Sequence, residues 1–138
     1  MRYVIFLDAA LQLIQEKATV PAGTKLFAPT LLRSQVLASL YASVRRGEFD
    51  RDEARSRLDH MRSLNIRLLG DRVLQKFAWD IADSLGWRDT LTAEYVALTK
   101  LQADAFVTLD AGLARAVGPL VPLASFEEML GRPPAQDK

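Results

Sequence analysis

The sequence predicts an α/β domain with a parallel central sheet flanked by helices. Three observations carry this. Strand-like apolar runs alternate with stretches of helical period along the chain, the pattern of a single sheet joined by right-handed crossovers. Two of those runs, residues 2–7 and 105–109, are continuous rather than alternating, as in strands buried on both faces. Each is followed at once by an aspartate, Asp8 or Asp110, where the next helix begins.

In chain order, residues 2–7 read as the first strand, a central one. A helix over 9–17 follows, with Leu11, Ile14 and Ala18 on one face, and Pro21-Ala22-Gly23 breaks it. Leu26-Phe27-Ala28 is a brief apolar stretch that reads as an approach to the next helix. Thr30 is placed to cap that helix, and Leu32, Val36, Leu40 and Val44 carry it to about Arg46 before Gly47 ends it. Asp50 with Glu53 resembles a capping box for a helix striped by Leu58, Met61 and Leu64. Ile66 to Leu69 reads as a second strand. Gly70-Asp71 turns into a helix ended by Gly86, with Trp79 and Phe77 on its apolar side as core or interface residues.

Residues 87–115 are the centre of the chain. They read as a helix over 92–101 with Ala93, Val96, Ala97 and Leu101 at helical spacing, a tight turn, the strand 105–109, Asp110 and a second helix. Leu120 to Leu123 is a candidate last strand, and Ser125 with Glu128 forms another capping-box pattern before a short helix. Residues 1–130 are expected to form one domain, with 131–138 a disordered polar tail.

Composition narrows the function classes. The 138 residues are 49% hydrophobic and 25% charged, as in ordinary globular domains, and contain no cysteine, which excludes disulfides and thiolate metal sites. The first apolar run is too short for a signal peptide, and no run approaches the roughly 20 apolar residues that cross a bilayer, so a cytoplasmic location without membrane contact is expected. Eighteen basic against 17 acidic residues give a net charge of +1, so any nucleic-acid contact must come from a local patch.

The chemistry centres on Asp8 and Asp110. In a parallel sheet, both lie at the edge where strands end, and they converge if their strands are neighbours. Two convergent carboxylates form a hard-oxygen site suited to Mg2+ or Mn2+, and so to metal-assisted phosphodiester hydrolysis. The alternative is that both only cap helices.

Four pieces of the sequence resemble the PIN-domain superfamily, and within it the VapC-type toxins of toxin–antitoxin pairs. They are Phe-Leu-Asp-Ala at 6–9, the Ala-Pro-Thr-Leu-Leu-Arg-Ser-Gln-Val-Leu-Ala-Ser-Leu element at 28–40, Thr-Leu-Thr-Ala-Glu-Tyr-Val-Ala-Leu-Thr at 90–99 and Val-Thr-Leu-Asp at 107–110. The resemblance spans about residues 3–124. It implies a Mg2+- or Mn2+-dependent endoribonuclease with usually four acidic residues, forming homodimers and neutralised by a small antitoxin protein. Asp8 and Asp110 match the first and fourth acids. Gln35 stands at the second position, normally glutamate, and Thr92 at the third, normally aspartate.

That loss is large in electrostatic terms. Two unit charges ~4 Å apart attract by roughly 4 kcal/mol at an effective dielectric of ~20, and a divalent ion doubles this. Gln35 and Thr92 offer oxygens without charge. Asp89, three residues before Thr92, is the candidate substitute acid, with a loop or capping role as its alternative. Glu94 should point away, about 200° round the helix from Thr92. Asp104 precedes its strand and belongs at the opposite edge. Arg45 and Arg46 are candidate contacts for RNA phosphates, against a solvated face interleaved with Glu48, Asp52, Glu53 and Asp59. His60, the lone histidine, reads as a surface or half-buried helical residue. Two functions from different classes follow. One is a VapC-like ribonuclease of weakened activity with Asp8 and Asp110 holding the metal. The other is a catalytically silent PIN-fold module that binds RNA or a protein partner.

Overall fold

A computed structural model describes residues 1–133. Four strands form one all-parallel sheet: β1 (Arg2–Ile5), β2 (Lys25–Pro29), β3 (Arg67–Leu69) and β4 (Ala105–Val107), in the order β3-β2-β1-β4. The helices are α1 (Leu7–Glu16), α2 (Leu31–Arg45), α3 (Arg51–Ser63), α4 (Arg72–Leu85), α5 (Leu91–Gln102), α6 (Ala111–Val117) and α7 (Phe126–Met129). None of the described helices is long and apolar enough to cross a membrane.

Topology sorts the helices. The chain steps from β1 to β2 to β3 in one direction, and right-handed crossovers then put α1, α2 and α3 on one face of the sheet, where they pack on one another. The return step from β3 to β4 puts α4 and α5 on the other face, and α5 packs against β1, β2 and β4. The direction of travel reverses between β1 and β4. The C-terminal ends of these two neighbours are the switch point where open α/β sheets hold ligands.

The expected α/β class with a parallel central sheet is what the chain adopts. Its core includes the interior of β1 and β4 (Val4, Ile5, Phe106, Val107) and the middle of α5, where Ala93, Tyr95, Val96 and Ala97 are fully buried. The one buried polar side chain of the described core, Thr99, donates its hydroxyl to the Tyr95 carbonyl. Residues 95–99 of α5 are buried in an unbroken run because α4 and the sheet cover both flanks of the helix there, while its last turn, from Lys100 on, is exposed.

Several elements differ from the sequence reading. Leu26-Phe27-Ala28 is no approach to a helix but the middle of β2, paired on both sides by β1 and β3. The last strand shrinks to an isolated bridge between Phe106 and Leu123. The 105–109 run leaves the ladder at Val107, because Thr108 and Leu109 turn to meet Asp8. Thr30 does not cap α2: its backbone is already helical and its hydroxyl makes no capping bond. Asp50 and Asp71 do cap α3 and α4, accepting the Glu53 and Leu74 amides. Ser125 and Glu128 form a full capping box. Trp79 is 69% exposed, since α4 buries Leu74, Ala78, Ile81 and Ala82 and turns Trp79 outward. Gly131 and Arg132 donate their amides to the carbonyls of Glu128 and Glu127, and Arg132 also pairs with Glu16. The tail expected to be disordered lies, from 134 on, outside the described residues.

Candidate active site

β1 and β4 run in register, Ile5 beside Val107, so the chain leaves both strands at the same corner. The Phe6 amide still donates to the Val107 carbonyl, and α1 then begins with Asp8 in its first turn. Asp8 is half-buried. Its Oδ1 accepts the Ala9 amide at 2.6 Å, and its Oδ2 accepts the Thr108 hydroxyl at 2.8 Å and the Leu109 amide at 3.0 Å. Thr108 Oγ1 in turn accepts the Asp110 amide at 3.2 Å, and Asp110 Oδ1 caps α6 by accepting the Leu113 amide at 3.0 Å. Thr108 therefore ties the two aspartates into one hydrogen-bonded corner.

Counting acceptor capacity shows what remains. An ionised carboxylate has about four lone-pair sites. Asp8 uses three of them, leaving one on Oδ1; Asp110 uses one, leaving Oδ2 open. Capping and ligand binding are thus compatible in Asp110, whereas Asp8 caps no helix: α1 starts from Phe6 without a side-chain cap, and Asp8 lies inside its first turn. Two carboxylates match the charge of one divalent cation, and hard cations such as Mg2+ are commonly held by one or two carboxylates with water and substrate phosphates completing the shell. The donor set fits one such ion. It does not fit two: among the described residues no three His, Cys, Asp or Glu side chains gather as a metal site.

The neutral positions are occupied differently. Gln35, half-buried on α2, accepts the Tyr95 hydroxyl on Oε1 at 2.6 Å. Tyr95 is wholly buried, its ring edge-on to Phe6 with centroids 4.9 Å apart. Burial above all, then the negative charges of Glu94 and Asp8, push the phenol well above its usual range and keep it a donor. Gln35 thus keeps a hydrogen bond that a glutamate there would also make, without the charge. Thr92 lies half-buried in the first turn of α5. It shares a shallow cleft with Trp87, Arg88, Asp89, Leu113 and Ala116, which Asp8 and Asp110 do not line. Asp89 spends an oxygen on the Leu91 amide at 3.0 Å, a turn-and-cap role at the start of α5.

Asp104 sits at the opposite edge, accepting the Arg2 amide. Glu94 is half-buried with no hydrogen bond or ion pair among the described residues, and burial raises its carboxyl. Arg46 is engaged by Glu48 and Ser43, while Arg45 is exposed at the end of α2. Ten residues of helix put Arg45 ~15 Å along the axis from Gln35. His60 is half-buried and its Nε2 meets the Ala18 carbonyl at 2.6 Å. Thr108 and Tyr95 are the site residues that the motif reading passed over. For Thr108, a hydroxyl two residues before a capping aspartate was the available signal.

No family model matches the chain, and no curated protein matches it. Solved structures do, among them two that cover nearly the whole chain. The crystal structure of PAE2754 from Pyrobaculum aerophilum superposes with a TM-score of 0.66 at 17% identity, covering 95% of this chain and 96% of that one. The crystal structure of VapBC2 from Rickettsia felis bound to a DNA fragment from their promoter gives 0.63 at 12% identity, covering 91% and 98%. At these identities the likeness is one of fold, and it extends over essentially the whole chain.

Proposed function

We propose that this chain, which has the PIN-like fold of those neighbours, is a VapC-like, metal-dependent endoribonuclease of weakened activity. The observation that supports it is the Asp8–Thr108–Asp110 corner at the switch point of the sheet, with acceptor capacity left on Asp8 Oδ1 and on Asp110 Oδ2. Mg2+ or Mn2+ bound there would supply Lewis-acid polarisation of a phosphate and an activated water. The chain's own work is positional. Thr108 fixes Asp8 against the strand end, the α6 cap fixes Asp110, and the Tyr95–Gln35 pair closes the buried side. Weakness follows from Gln35 and Thr92: with two acids instead of four, the site relies on RNA phosphates to complete its charge. A small antitoxin partner, as the VapBC2 name implies for that neighbour, and a homodimer belong to this reading.

The silent-module reading has its own support: Gln35 and Thr92 bring no charge to the two positions, and one lone pair of Gln35 Oε1 is already given to the Tyr95 hydroxyl. RNA cleavage decides between the two. The unmodified chain should cut RNA slowly with Mn2+ or Mg2+ and not in excess chelator. Asp110→Asn, which keeps the single capping oxygen, and Asp8→Asn, which keeps one of the two accepting oxygens, should each lower the rate roughly 10²-fold or more, the usual loss when a charge-stabilising group is removed. Cleavage unaffected by both variants would refute the ribonuclease reading; no cleavage by the unmodified chain, with activity gained in Gln35→Glu/Thr92→Asp, would establish the silent one.

A further inference from the structure

We propose a second site, at the opposite edge of the sheet, that binds a phosphate ester of nucleotide size. A cleft of about 470 Å³ opens where β2 and β3 begin, between the 19–24 loop and the end of α3. That volume lies in the range of small-ligand pockets. Phe27 and Leu64, both nearly buried, floor it.

Its charge is one-sided. Lys25 and Arg67 line the cleft and no aspartate or glutamate does, although the chain as a whole is nearly balanced. The ladder explains the pairing. Arg67 is the register partner of Phe27, and Lys25 lies two residues before Phe27 on the same strand. Side chains two apart share a face, so both cations flank Phe27 on one side of the sheet. Neither makes a side-chain hydrogen bond or ion pair among the described residues. The nearby end of α3 does not consume them either: its Met61 and Arg62 carbonyls accept the Leu64 and Asn65 amides, and the His60 carbonyl accepts Ser63 Oγ.

The walls are preformed. Gly23, at φ +88, completes a turn closed by the Thr24 amide and the Pro21 carbonyl, and the His60 contact to Ala18 pins the start of the loop. Asn65 is held in the left-handed region at φ 51. Thr24 and Asn65 add neutral hydrogen-bonding groups at the rim. An arginine fork and a lysine point charge suit a phosphate. The apolar floor and the volume exceed what a bare phosphate fills, and so call for an ester with an organic body, free or at an RNA end.

The test is calorimetric titration of AMP into the full chain in the presence of chelator, with inorganic phosphate and adenosine as the separate halves. AMP should bind at one site per chain, more tightly than either half. Lys25→Gln and Arg67→Gln, both at exposed positions, should each weaken it roughly tenfold, the equivalent of one charged hydrogen bond. The double variant should melt like the parent and keep its Mn2+ response at Asp8 and Asp110, so that failure here and failure of the ribonuclease reading are separable. No heat with AMP, equal affinity for phosphate and AMP, or undiminished AMP binding in the double variant would overturn the proposal. A 5′-phosphorylated dinucleotide that binds at least as well as AMP would assign the ester to an RNA end; one that does not bind would assign it to a free nucleotide.

Discussion

Thr108 is the residue on which the corner turns, because one hydroxyl donates to Asp8 and accepts from the Asp110 amide. Thr108→Val keeps the shape and removes both bonds. It should cost about 1–3 kcal/mol, the range for leaving polar groups unsatisfied, read as a fall in unfolding midpoint that Thr108→Ser does not show. Glu94 gives a prediction with a sign in pH. Burial raises its folded pKa above the unfolded value, so its contribution is neutral in acid, turns destabilising as pH rises past the unfolded value and is fully so above the folded one. Glu94→Gln should therefore match the parent at pH 3.5 and be more stable at pH 7, by chemical denaturation. Asp8 and Asp110 were legible in the sequence, since a polar residue after a buried run marks a strand end locally. Thr108 and Tyr95 were not. Their roles depend on β1 lying beside β4 and on α2 facing α5, adjacencies about 100 and 60 residues apart in sequence.

Helices were easier to read than strands because their signals are local. Asp50 and Asp71 accept the amides that their spacing implies, and Gly47 and Gly86 end their helices at positive φ. Thr30 has a good capping residue's identity but helical backbone angles, so it caps nothing. The contrast is testable by thermal melts: Asp71→Ala should cost about 1 kcal/mol, whereas Thr30→Ala should stay within about 0.5 kcal/mol. β2 was hidden because Leu26-Phe27-Ala28 is too short for periodicity to speak, and only pairing with β1 and β3 makes it a strand. Trp79 misled for the opposite reason. A large aromatic near apolar residues reads as core or interface on the apolar side, yet its phase on α4 places it outside the buried stripe, which rules out the core half of that reading.

At the scale of the molecule, order β3-β2-β1-β4 puts one switch point at β1 and β4 and makes the two aspartates neighbours. The sequence reached the fold class from the alternation of strand-like and helical stretches and from two continuous apolar runs each ended by an aspartate, and four motif pieces reached the PIN-like fold shared with structures only 17% and 12% identical. Strand order could not be read, because nothing in a run of apolar residues names its partner. The central claim is that Asp8 and Asp110 form one functional cation site that RNA completes. The most direct measurement is calorimetric titration of Mn2+ into the chain, with and without a short 2′-O-methyl RNA that resists cleavage, using Asp8→Asn/Asp110→Asn as control. A single site per chain, tightened by the RNA and lost in the control, is the expected result. Absence of Mn2+ binding even with RNA present, or binding unchanged in the control, would contradict the account.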